Sequence, residues 1–121
     1  MNDVAIVGAG YVGVPLAQVF AEAGVSVVLV DTDAGRIAAL NEGESYIEDV
    51  ATAELRPLVE SGTVSATTEY DALRDAEAIL VALPTPLSAN REPDLSIVLG
   101  AVEEIAKRLR PGHLVVLEST T

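Results

Sequence analysis

The sequence predicts an α/β fold: a doubly wound, mainly parallel sheet of about five strands, Rossmann-like in its winding, forming one domain. Three observations lead there. Short apolar runs alternate with segments whose apolar residues recur at three- and four-residue spacing. The connections are short and carry glycine or proline stops, which fits strand–helix–strand units joined by right-handed crossovers. Finally, Gly8–Gly13, Asp31, Pro84–Pro86 and Glu118–Thr121 all follow the carboxyl ends of predicted strands, the edge at which such sheets take their ligands.

Composition narrows the class. The chain has 121 residues, half of them apolar but only 3% aromatic, so the core must be built from Val, Leu, Ile and Ala. That is the material of a parallel sheet covered on both faces. With no cysteine, thiolate metal sites, disulfides and thiol chemistry within these residues are excluded, and no metal site is expected. A formal charge of −12 argues against nucleic acid or an anionic membrane as partner. No apolar run reaches membrane-spanning length. The N-terminus enters a strand at once, without a signal peptide, so the expected location is cytoplasmic.

Along the chain, Val4–Val7 reads as the first strand and opens into Gly8-Ala9-Gly10-Tyr11-Val12-Gly13. The segment from Val14 to Ala23 reads as a helix stopped by Gly24, and Val25–Val30 as a second strand ending on Asp31. Strand, glycine turn, helix, strand and acid together are what a dinucleotide-binding βαβ unit requires. Gly8 permits a sharp exit from the strand, Gly10 puts no side chain in the way of a pyrophosphate, and Gly13 permits close packing of helix on sheet. The pyrophosphate would rest on the N–H groups and dipole of the helix N-terminus. Asp31 would accept from both hydroxyls of the adenosine ribose and repel a 2′-phosphate, favouring NAD over NADP.

A second helix is expected over Thr32–Asn41, with Ile37, Ala38 and Leu40 inward and Arg36 one turn in, near the adenosine ribose. Glu44–Val50, including Tyr46, lacks a period and reads as a loop. Ala51–Ser61 reads as a helix, Thr63–Thr67 as a strand, and Thr68 with Asp71 as the start of a short helix ending near Arg74. Glu77–Leu83 is a strand of the buried kind, halted by Pro84-Thr85-Pro86. Pro93-Asp94 opens the clearest helix, with Leu95, Val98, Leu99, Val102, Ile105, Ala106 and Leu109 on one face. Arg110-Pro111-Gly112 turns the chain, His113 is a surface residue away from the ligand edge, and Leu114–Leu117 is expected to be a last buried strand.

These residues resemble the N-terminal NAD-binding domain of the UDP-glucose/GDP-mannose dehydrogenase family. The likeness is greatest to the branch oxidising UDP-N-acetylmannosamine or UDP-N-acetylglucosamine at C6. It is carried by Gly8–Ala17, by Asp31-Thr32-Asp33 with Arg36-Ile37, by Leu40–Asp49, by Leu83–Leu87, by Pro93–Ser96 and by Leu117–Thr121, in order and over the whole chain. The resemblance implies an NAD-dependent, four-electron oxidation of a UDP-sugar alcohol to a carboxylate in two hydride transfers. It implies a cofactor-binding set of Gly8, Gly10, Tyr11, Val12, Gly13, Asp31, Arg36, Pro84, Thr85, Ser119 and Thr120, with Arg36 standing where the family has lysine. Thr120 would also help position a catalytic water, whereas Glu118 is given no chemical role. In the family, the cysteine nucleophile and its assistants lie beyond residue 121. Residues 1–121 are therefore expected to be a fragment, lacking the central helix and the C-terminal substrate domain and inactive alone. The full-length enzyme is expected to be a homo-oligomer. Two other readings of the opening motif remain: a non-catalytic NAD-sensing domain, or the N-terminal domain of a 6-phosphogluconate or 3-hydroxyacyl-CoA type of dehydrogenase.

Overall fold

Five strands pair into one sheet in which all are parallel. In chain order, the computed structural model contains β1 (Val4–Val7), α1 (Gly13–Glu22), β2 (Val27–Val30), α2 (Ala34–Asn41), α3 (Thr52–Glu60) and β3 (Val64–Thr67). A 3₁₀ turn (Tyr70–Asp75), β4 (Ala78–Val81), α4 (Ser96–Ala106) and β5 (Leu114–Leu117) complete it. The structure describes residues 3–48, 50–83 and 96–117.

The strand order is β3-β2-β1-β4-β5. The chain winds outward from β1 through β2 to β3, then returns to the other side of β1 for β4 and β5. The winding therefore reverses beside β1, and a crevice opens at the carboxyl ends of the strands at such a reversal. The register puts Val7 level with Val30 on one side and Val81 on the other, so the turns after β1, β2 and β4 leave the sheet at one height.

Side-chain alternation divides the core in two. Val4 and Ile6 of β1, with Val27 and Leu29 of β2, pack against Val14 and Ala17 of α1, Leu40 of α2 and Leu55 of α3. Ala5 and Val7, with Val28 and Val30, face the other way onto Leu73 of the 3₁₀ turn and Ala101 and Ile105 of α4. Strands buried on both faces have no polar face to show, which explains the unbroken apolar runs of β1 and β2. Each fully buried Leu, Ile or Val contributes roughly 1.5–3 kcal/mol.

Several expectations need correction. β5 is not buried: Leu114 is 61% exposed and Leu117 58%. It pairs with β4 alone and forms the edge of the sheet. On α4, Val98, Ala101 and Ile105 are buried, whereas Leu99 and Val102 face solvent. The core face is thus narrower than the apolar stripe. α2 begins at Ala34, because Asp33 Oδ1 accepts from the Arg36 N–H and caps the helix there. The turn after Thr68 is 3₁₀ rather than α; the Thr67 hydroxyl, not Thr68, accepts from a backbone amide, that of Glu69.

Candidate functional site

The site is built on the exit from β1. Gly8 has φ +110°, and a Cβ there would lie 2.5 Å from the carbonyl oxygen of Ala82 at the end of β4. The turn can therefore follow the strand only with glycine at this position. A Cβ on Gly13 would overlap the carbonyl oxygen of Gly8, so α1 can start this close to β1 only without one. Gly10 differs from both. The nearest atom to a Cβ built on it is Arg36 Nη1, 3.9 Å away, and its φ is not in the left-handed region. Nothing inside the described protein requires Gly10 to lack a side chain; the open space lies outside the turn.

That space is bordered by N–H donors. Val14 N–H bonds to the Gly10 carbonyl, Pro15 has no N–H to satisfy, and the first bond within the helix runs from Leu16 N–H to the Val12 carbonyl. Among the described residues, the amides of Gly10, Tyr11, Val12 and Gly13 have no acceptor. Val12, at the N-cap, makes no side-chain cap, which leaves the positive end of α1 open to an anion. Tyr11 projects into solvent, 82% exposed.

Asp31, at the end of β2, is already oriented. Its Oδ2 accepts from Ala9 N–H at 2.8 Å and its Oδ1 from Asp33 N–H at 2.9 Å. Two backbone bonds leave further lone pairs of the carboxylate free for hydroxyl donors. Arg36 lies alongside, with Nη1 4.0 Å from Asp31 Oδ2 and Nε 3.6 Å from Asp33 Oδ2. Its guanidinium sits 5.5 Å above the ring of Tyr46, a cation–π contact. The Tyr46 hydroxyl donates to the Ala9 carbonyl at 2.6 Å. Burial pushes the Tyr46 phenol up to about 12, against a smaller lowering by Arg36, and the nearby Asp31 and Asp33 charges add to the rise.

Beyond Asp31 a cleft of about 490 Å³ runs between the strand ends and α4, lined among others by Val30, Asp31, Tyr70, Leu83, Gly100 and Glu104. Its far wall is braced by Arg108. The guanidinium Nε donates to Asp71 Oδ1 at 2.7 Å, and Nη1 donates to the Glu104 side chain at 2.9 Å and its carbonyl at 2.8 Å. These bonds hold the Asp71 and Glu104 carboxyls below their ordinary range and tie α4 to the 3₁₀ turn. Burial raises the Tyr70 phenol, with Asp31 adding to the effect.

The structure thus brings Gly8, Gly10, Tyr11, Val12, Gly13, Asp31 and Arg36 together at one edge. Pro84, Thr85, Ser119 and Thr120 lie outside the described residues, as does Glu118. His113 stands before β5, at the opposite end of the sheet. Sequence reasoning left two contributors out of the site. Asp33 caps α2 and pairs with Arg36, which its place three residues ahead of Arg36 could have signalled. Tyr46 closes on the glycine turn from a loop without periodicity, and no local signal marks that contact. Among the described residues no three His, Cys, Asp or Glu side chains cluster as metal ligands, and no helix is long and apolar enough to cross a membrane.

Comparison with known proteins gives this edge a context. The chain is 40% identical over 121 residues to the NDP-N-acetyl-D-galactosaminuronic acid dehydrogenase of Ralstonia nicotianae, covering 99% of the chain and 28% of that protein. It is 39% identical to the UDP-N-acetyl-D-glucosamine 6-dehydrogenase of Pseudomonas aeruginosa, over 97% of the chain and 27% of the relative. The crystal structure of a ternary complex of GDP-mannose dehydrogenase from Pseudomonas aeruginosa superposes with a TM-score of 0.92 at 31% identity, over 98% of this chain and 28% of that one. The chain therefore spans a little over a quarter of the length of such relatives. Residues 2–121 match the family model described as UDP-glucose/GDP-mannose dehydrogenase family, NAD binding domain. With the glycine turn, the acid that closes β2 and the strand order all in agreement, the chain belongs to the UDP-glucose/GDP-mannose dehydrogenase family, of which it is the NAD binding domain.

Proposed function

We propose that this chain holds NAD with its pyrophosphate on the amides of Gly10, Tyr11, Val12 and Gly13 and its adenosine ribose on Asp31. The adenine would lie in the cleft beside Tyr70. In this reading the protein to which the domain belongs oxidises the C6 alcohol of a UDP-sugar to a carboxylate. The observation that carries it is Gly10: among the described residues its missing side chain serves no contact, yet it opens a place where backbone donors and a helix dipole converge.

The coenzyme supplies a hydride acceptor for each of the two oxidation steps. This chain's part is binding and orientation. Asp31 is locked by two amides and meets the ribose without reorganising, while its charge, reinforced by Asp33, opposes a 2′-phosphate. Arg36 carries one positive charge against those two acids, so the ribose corner stays net negative. Following the family resemblance, Pro84 and Thr85 would complete the site toward the nicotinamide ribose, and Ser119 and Thr120 the nicotinamide end, with Thr120 helping to position a water. A thiol nucleophile must come from outside these 121 residues, which contain no cysteine. The proposal extends to a cytoplasmic homo-oligomer acting in polysaccharide biosynthesis.

Thermal unfolding with and without NAD tests the binding half. NAD at a hundredfold excess over its dissociation constant stabilises the domain by about 2.7 kcal/mol. In the same samples, adding a UDP-sugar produces no growth of NADH absorbance. An unfolding curve indifferent to NAD, or turnover by these residues alone, overturns the proposal.

A further inference from the structure

We infer that Tyr46 is a positioning residue for the coenzyme: by donating its phenolic hydrogen to the Ala9 carbonyl, it sets the direction in which the Gly10 N–H points. This inference rests on the reading of the glycine turn as the pyrophosphate site.

The Ala9 carbonyl and the Gly10 N–H belong to one planar trans peptide unit and point in opposite directions. Fixing one fixes the other. The need for a clamp comes from the sequence, because Ala9 stands between two glycines and glycine leaves its flanking peptides free to rotate. The structure supplies two clamps in succession. The peptide entering Ala9 is held by its N–H on Asp31 Oδ2 at 2.8 Å, and the peptide leaving it by its carbonyl on the Tyr46 hydroxyl at 2.6 Å. Ala9 itself is fully buried, so the turn cannot swing outward to escape either one. A donor on the carbonyl side also polarises the peptide and strengthens the N–H opposite.

Tyr46 is held in turn. Arg36 covers its ring, Ile47 beside it is buried, and Ser45 N–H bonds to the Thr52 hydroxyl at the start of α3. The raised phenol keeps its proton, and therefore its donor, through the whole physiological range. Together Asp31, Arg36 and Tyr46 make a bracket around one peptide of the turn, and the loop between α2 and α3 takes part in cofactor binding through the turn it holds.

Tyr46→Phe removes the hydroxyl and keeps the ring under Arg36; Tyr46→Leu removes both. Each is compared with the wild-type protein by calorimetric titration of NAD and by the amide spectrum of the ¹⁵N-labelled protein. Loss of one neutral hydrogen bond, about 1 kcal/mol, corresponds to roughly fivefold in affinity. The expected result is a loss of about that size in Tyr46→Phe, at least as large in Tyr46→Leu, with the Gly10 amide resonance displaced in the ligand-free protein. A tie that is merely structural would lower the melting temperature and leave both readouts unchanged in the folded fraction. Wild-type affinity in Tyr46→Phe, or an unmoved Gly10 resonance while the wild type titrates normally, overturns the role of Tyr46 and leaves the site reading standing. A wild type that ignores NAD overturns both.

Discussion

One methyl group, added at two glycines three residues apart, should have opposite effects. At Gly13 a Cβ overlaps the Gly8 carbonyl oxygen and comes within 3.3 Å of Ile6 Cγ2, so α1 must be pushed off β1. Ile6 lies in the central strand and Gly8 in the turn leaving it, close against Ala82, so neither can give way cheaply; overpacking of this kind costs about 1–3 kcal/mol or more. At Gly10 the nearest atom to a Cβ is 3.9 Å away, at the mobile end of Arg36, and φ is compatible with alanine. Gly10→Ala therefore leaves the fold intact and gains about 0.4–1 kcal/mol by restricting the unfolded chain. For a domain of this size, 1 kcal/mol moves the melting temperature by roughly 4 °C, so Gly13→Ala should melt roughly 4–12 °C lower and Gly10→Ala at or slightly above the wild type. On the proposed binding mode the effect on NAD runs the other way for Gly10→Ala, whose methyl would stand where the pyrophosphate approaches. Circular dichroism melts with and without NAD separate the two effects. If Gly10→Ala melted as low as Gly13→Ala, or were stabilised by NAD as much as the wild type, the division of roles between these glycines would be wrong.

Asp31→Asn keeps an oxygen for the Ala9 N–H but loses the charge; charge-assisted bonds are worth about 1.5–3 kcal/mol, so NAD affinity should fall about ten- to a hundredfold while the gap to NADP narrows. An unchanged preference in competitive titrations would remove Asp31 from coenzyme selection. Asp71 and Glu104 are both lowered, first by their hydrogen bonds to Arg108. The stability they contribute is therefore present above the ordinary carboxylate range and lost as pH falls through their lowered values. Urea unfolding between about pH 3 and 6 should show a steeper acid loss for the wild type than for Arg108→Met, and parallel curves would contradict the assignment. Tyr46 is raised in the folded protein, so its contribution is complete below its unfolded value near 10 and fades as pH climbs toward about 12. Tyr46→Phe should flatten that alkaline loss, and a tyrosinate absorbance titration should lose its highest step.

The parts of the molecule most readable in the sequence are those where local chemistry and global fold demand the same residue. Gly8 and Gly13 are required by a positive φ and by a close approach of helix to strand, and β1 and β2 are apolar throughout because both their faces are covered. Position along the chain then delivered Asp31 to the right edge, since a parallel strand must end there. What the sequence left hidden depends on neighbours. β5 is as wholly apolar as β2, yet only pairing decides that one is internal and the other lies at the edge. Leu99 and Val102 fit a helical stripe as well as Val98 and Ile105 do, and the covering partner, not the period, settles which are buried. The start of α2 moves from Thr32 to Ala34 because the Asp33 carboxylate caps it, a boundary that apolar periodicity does not report. Tyr46 reaches Ala9 across 37 positions of sequence, a contact invisible to any window.

Calorimetric titration of the wild-type protein with NAD and, separately, with NADP tests the central claim most directly. The account predicts saturable one-to-one heat with NAD, and with NADP a heat that is absent or far weaker, because backbone amides grip the pyrophosphate common to both while Asp31 and Asp33 meet the extra phosphate with like charge. A folded protein that gives no heat with NAD, or one that binds NADP equally well, would contradict it.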